Sequence, residues 1–177
     1  SSDAATTLLG LNRFYQTNLA STELARLAAE IGSDVPFFLF QSAAVCRGRG
    51  EMVEPGKLAG ALSFLLLKPS FGVPTSWAYS RWKDSKQIPK VTYDAQESGG
   101  VRLVNDLERP VFEKFVFLAQ AKMWLLKQPE VGAALLSGSG STVFAILRGE
   151  SSAESLAARA LAELDPELWT FAGHTTG

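Results

Sequence analysis

"GAALLSGSGSTVFAIL", residues 132–147, decides how the second half of this chain folds. Two apolar runs rich in Leu, Val, Ile and Phe flank a Gly/Ser cluster, the pattern of two strands joined by a turn. Gly138 and Gly140 let the backbone take positive φ and approach a ligand closely, and successive N–H groups in such a turn can form an anion-binding nest. The same residues serve equally well as a plain hairpin connection. Upstream, "ALSFLLLKPSFGVPTSWAYSRW" (61–82) reads as a buried strand, a Gly/Pro-punctuated loop and a short helix starting near Pro74. Residues 83–100 are polar and read as a surface loop. "NDLERPVFEKFVFLAQAKMWLLKQ" (105–128) carries Leu107, Val111, Phe115, Leu118 and Leu125 at helical spacing, which predicts one long amphipathic helix. Downstream, "SSAESLAARALAEL" reads as a capped helix and "LWTFAG" as a closing strand. The order strand, helix, helix, strand, strand, helix, strand is that of a split βαβ, ferredoxin-like sandwich with one extra helix.

The first 55 residues are mainly helical. Residues 3–15 read as a helix that Ser1, Ser2 or Asp3 caps, and "STELARLAAEIG" as a second, with Ser21 or Thr22 as its cap and Gly32 just past its end. "SDVPFFLF" places Pro36 near a turn or helix start, and "QSAAVCRGRGEMVEP" reads as strand and turn. These elements supply too few strands to close a sheet of their own. A boundary is expected near residues 55–61.

Composition limits the chemistry. The 177 residues are 46% hydrophobic and 20% charged, values of a folded globular chain. A formal net charge of -1 argues against non-specific nucleic-acid binding, which needs a basic footprint. No apolar run approaches the roughly 18 residues that span a bilayer. The single cysteine, Cys46, cannot form an internal disulfide and reads as a small buried residue at a strand end; the single histidine, His174, reads as a solvated tail residue. One of each leaves zinc sites and Ser-His-Asp or Cys-His machinery without their parts. Carboxylates, serines, lysines and backbone amides remain.

Besides the Gly/Ser turn, two stretches stand out. In "EIGSDVPFF", Asp34 follows a helix-ending glycine; it either caps the next helix or is positioned as a proton acceptor beside a rigid turn. In "KPSFGVPTSWAY", Thr75, Trp77 and Tyr79 follow a strand end and either line a pocket or fill the core.

The ordered set "SSDAATTLLGLN", "GSDVPFF", "KPSFGVPTSWAY", "NDLE" and "LLSGSGSTVFAIL" resembles the GHMP kinases, and among them those acting on a diphosphocytidyl sugar alcohol of non-mevalonate isoprenoid biosynthesis. The resemblance implies an α+β fold: residues 1–57 as the helical end of an N-terminal nucleotide-binding domain, and 58–177 as a ferredoxin-like C-terminal domain. It implies ATP and Mg²⁺ as cofactors and a small-molecule substrate. By the same likeness Asp34 is the catalytic base, taking the proton of the substrate 2-hydroxyl. Ser1, Ser2 and Asp3 end the phosphate-wrapping loop, with Ser2 facing Mg²⁺, and the helix N-terminus behind them adds positive potential. Ser137, Gly138, Ser139 and Gly140 shape the nucleotide and substrate site, and Thr75 and Tyr79 the cytosine end, where Tyr79 stacks on the ring. The reaction needs Asp34 and the 138–140 turn at one cleft.

The resemblance further implies a chain lacking the family's upstream glycines and lysine, without useful turnover by itself. Its missing N-terminal half, or a second copy, then covers the exposed apolar faces. Nucleic acid and membrane are not expected as partners, and the expected location is the cytoplasm or a plastid stroma. A non-catalytic ligand-binding ferredoxin-like module and another GHMP small-molecule kinase stand as the alternatives.

Overall fold

The computed structural model describes residues 1–149 and 153–175. They fall into two compact units, one ending at Leu58 and the other running from Ala59 to Thr175.

The first unit holds helices α1 (Ser2–Phe14), α2 (Ser21–Ile31) and α3 (Val35–Phe40), then a hairpin of β1 (Ala44–Arg47) and β2 (Met52–Pro55). Ser1 is the N-cap of α1, but no side chain caps that end; the Ala5 N–H donates to Ser1 O at 3.0 Å. The α2 cap also differs from expectation. Ala20 occupies it, and the Glu23 carboxylate reaches back to accept from the Ala20 N–H at 3.0 Å. Small residues let the helices approach: Ala5, Ala28 and Val35 are buried together, with Leu8 and Leu39 against them. Cys46 lies in β1 opposite Val53, yet is exposed rather than buried, because it belongs to a two-stranded ribbon whose side chains are mostly exposed.

The second unit runs β3 (Ser63–Lys68), α4 (Thr75–Arg81), β4 (Gln96–Ser98), β5 (Val101–Leu103), α5 (Glu108–Lys114), α6 (Val116–Leu126), β6 (Val131–Leu136), β7 (Val143–Leu147), α7 (Ala153–Glu163) and β8 (Trp169–His174). Its main sheet has the order β6-β7-β3-β8 with every pair antiparallel, the ferredoxin-like arrangement. Alternation along β3 sends Leu65 and Leu67 to one face, where they pack with Val111, Phe112, Leu118, Leu125, Leu156 and Ala160 of the helices. Full burial of each leucine contributes about 1.5–3 kcal/mol. The opposite face buries Ala133, Leu135 and Ile146 with Phe64, Phe144 and Leu103.

Three expectations are corrected here. The single helix over 105–128 is two, because Phe115 leaves helical geometry at φ -107°, ψ 68°. Its ring stacks on Phe71 at 5.7 Å and meets Trp77 edge-on at 5.6 Å, packing that a continuous helix would have to share with its own turn. Residues 83–100 are not all loop: β4 pairs with β5 through Gly99 and Gly100, whose φ of 59° and 74° match a tight hairpin turn. His174 is no tail residue but ends β8, registered against Ser63, whose Oγ lies 2.9 Å from His174 Nδ1. The expected cap of α7 lies outside the described residues.

Candidate active site

In the first unit, Gly32 ends α2 by donating its N–H to Ala28 O at 3.1 Å, and Pro36 sits in the first turn of α3. Asp34 therefore falls at the junction, at the N-cap position. Its side chain makes no capping bond and stays exposed, so the capping explanation for this aspartate fails. The carboxylate is instead hemmed by Gly50 of the β1–β2 turn: a Cβ on Gly50 would come 3.1 Å from Asp34 Oδ1, and Gly50 has φ +117°. The "RGRG" run was the only signal for Gly50, and its partner was not readable from it. Ser1, Ser2 and Asp3 lie exposed at the start of α1, with Asp3 in its first turn.

In the second unit, the turn after β6 closes with the Ser137 N–H donating to Thr142 O at 2.8 Å and the Gly140 N–H to Ser137 O at 2.9 Å. Gly138 and Gly140 have φ of 54° and 88°, as the turn requires. The turn meets the segment after β3 twice: Thr75 Oγ1 at the start of α4 lies 2.9 Å from Ser139 Oγ, and Ser141 Oγ donates to Phe71 O of the loop at 2.6 Å. One turn of α4 beyond Thr75, Tyr79 is 65% exposed, which rules out a core role for it, whereas Trp77 packs against the core. Tyr79 lines a cavity of about 470 Å³ with Trp82, Asn105, Asp106 and Gly138. Thr75, Tyr79 and the 137–140 turn are thus neighbours along one wall.

Two residues of the "NDLE" stretch, Asn105 and Glu108, hold this wall. Asn105 Nδ2 donates to Leu136 O and Gly138 O, both at 2.7 Å, while its Oδ1 accepts from the Leu107 N–H at 2.9 Å. Buried Glu108 accepts from the Leu136 N–H at 2.9 Å and from Lys122 Nζ at 2.6 Å; Lys122 is buried too and also donates to Thr92 O at 2.7 Å. Burial pushes the Glu108 carboxyl up from its ordinary value, against the opposing pull of Lys122 and the Leu136 amide.

Two family models match this chain. The GHMP kinases N terminal domain matches residues 1–42, and the GHMP kinases C terminal domain matches residues 94–165. This chain belongs to the GHMP kinases. As a GHMP kinase it is 40% identical over 173 residues to 4-diphosphocytidyl-2-C-methyl-D-erythritol kinase of Methylacidiphilum infernorum, covering 96% of this chain and 60% of that protein. It is 39% identical over 169 residues to the protein of the same name from Thermodesulfovibrio yellowstonii, covering 87% and 58%. A crystal structure of 4-(cytidine 5'-diphospho)-2C-methyl-D-erythritol kinase superposes with a TM-score of 0.74 at 30% identity, over 99% of this chain and 64% of that one. The chain thus spans about 60% of the length of the curated relatives it matches. Both halves of the GHMP kinase match fall on stretches that carry candidate residues: Asp34 in the first, Asn105 and the 137–140 turn in the second.

Proposed function

We propose that this GHMP kinase chain serves the transfer of the ATP γ-phosphoryl group to the 2-hydroxyl of 4-diphosphocytidyl-2-C-methyl-D-erythritol, as the names of its relatives suggest. The observation that carries the reading is the wall in the second unit. Tyr79 presents an exposed ring beside a cavity that Gly138 also lines, and Thr75 is bonded to Ser139 one turn away. An aromatic face beside glycine-rich backbone suits a ligand with a base at one end and phosphates at the other.

In this mechanism Asp34 accepts the proton of the attacking hydroxyl; its exposed carboxylate is free of any capping bond that would compete. The exposed hydroxyls of Ser1 and Ser2 and the first amides of α1 receive ATP phosphate, with the helix dipole in support. The donors there are all oxygens, the set a hard cation takes, and Mg²⁺ characteristically uses few protein ligands together with substrate phosphates. Ser2 and Asp3 fit that demand; among the described residues no cluster of His, Cys, Asp or Glu offers a full protein cage. When bound, Mg²⁺ supplies charge neutralisation at the transferring phosphate. Among the described residues no helix is long and apolar enough to cross a membrane. We place the protein in the cytoplasm.

The test is calorimetric titration of the chain with the cytidyl substrate. Wild type binds, and Tyr79→Ala weakens binding roughly tenfold, the worth of one base–aromatic stack. Whatever ADP release the chain supports with that substrate falls roughly 10²–10⁴-fold in Asp34→Asn. No binding by wild type, or equal binding by Tyr79→Ala, overturns the reading.

A further inference from the structure

We propose that Asn105, with the Glu108–Lys122 pair behind it, is a positioning brace that sets the Ser137–Thr142 turn in its ligand-receiving geometry. The inference rests on the kinase reading for what the turn receives, but not for the brace itself. Four contacts carry it. Asn105 Nδ2 takes the carbonyls of Leu136 and Gly138 at 2.7 Å each, so both point toward the Asn105 amide ahead of α5. Glu108 Oε1 holds the Leu136 N–H at 2.9 Å, and Lys122 fixes that carboxylate at 2.6 Å. The last residue of β6 is therefore gripped at both its N–H and its C=O by a segment some thirty residues earlier.

The consequence lies on the other side of the peptide planes. With the Gly138 carbonyl drawn to Asn105, the Ser139 N–H of the same peptide plane is directed away from it, next to the Gly138 N–H. Among the described residues neither finds an acceptor. Adjacent free amides in a turn with Gly at positive φ form an anion-binding concavity. Among the described residues the Glu108 carboxylate accepts hydrogen bonds from Lys122 and the Leu136 amide, so its negative charge is spent inward rather than toward an arriving phosphate.

Asn105→Asp separates this role from a merely structural one. The aspartate keeps the oxygen that accepts from Leu107 N–H at the start of α5, but loses the amide that grips the turn. Amide hydrogen exchange of the full chain, read by NMR, is expected to quicken roughly tenfold at Ser137 and Gly140, with Val111 in α5 unchanged. ATP is the probe for the turn. In wild type it shifts the Gly138 and Ser139 amide resonances, and Asn105→Asp weakens that response roughly tenfold. Unchanged exchange at Ser137 and Gly140, or equal quickening at Val111, overturns the brace. Absence of an ATP response in wild type overturns the nucleotide reading alone, since the exchange result still judges the brace. Should Asn105→Asp not fold, Asn105→Ala replaces it: acceleration greater at Gly140 than at Val111 supports the brace, and uniform acceleration overturns it.

Discussion

Lys122 carries no exposed surface in the second unit, in the middle of a helix whose other inward residues are Leu118, Ala119, Ala121 and Leu125. A lysine at such a position is costly unless its charge is met, and Glu108 and Thr92 O meet it. Glu108 in turn titrates above its ordinary range because burial disfavours its charged form more than its partners favour it. A raised folded-state value means that the contribution of this group is complete below the unfolded Glu value, about 4.3, and is lost as pH rises through the folded value. Wild type should therefore lose urea resistance relative to Glu108→Gln as pH climbs above about 4.3. A gap between the two midpoints that stays constant, or closes the other way, removes the pH linkage. Asp34 makes the complementary point at the same scale. Its local sequence fits a helix cap, yet no side-chain cap bond forms there, and the Gly50 backbone lies close to the carboxylate.

At the scale of elements, the β4–β5 hairpin is the part that sequence periodicity passed over. Each strand has three residues, too short for alternation to register, and Gln96 joins the sheet by side-chain bonds: its amide exchanges hydrogen bonds with Ala134 O and N at 2.9 and 3.0 Å. The turn depends on Gly99, where φ is +59° and a Cβ would clash with Leu62 Cδ2. Gly99→Ala is expected to cost about 1–3 kcal/mol, from positive φ and overpacking together. Chemical denaturation measures it; a loss within experimental error would show that Leu62 and the turn yield freely. The break between α5 and α6 has the same origin. Helical spacing runs straight through Phe115, and only its aromatic neighbours, Phe71 and Trp77, account for the interruption.

For the molecule as a whole, the second unit has the attributes of an independent domain. Its four-stranded sheet is complete in ferredoxin-like order, and one large core lies under the helices. Residues 59–175 expressed alone should unfold in a single cooperative thermal transition with a dispersed amide spectrum. A gradual, uncooperative melt would show that this core does not suffice. The first unit offers a much smaller core around Ala5, Ala28 and Val35, while Leu11, Phe14, Tyr15 and Ile31 remain exposed on its helices. By area, that core stabilises far less than the other.

The amino-acid sequence by itself determined the α+β class, the ferredoxin-like strand order and the membership in the GHMP kinases. Each of these is written in short-range patterns: continuous apolar runs in β3, β6 and β7, glycine at the turns, and motifs in a fixed order. Tertiary structure alone decided what "NDLE" touches, that Thr75 meets Ser139, and that Lys122 is buried against Glu108. The reason is physical. Those hydrogen bonds join residues 14 to 64 positions apart and satisfy donors and acceptors that a linear pattern cannot pair, because periodicity records which face a residue takes and not what it meets there.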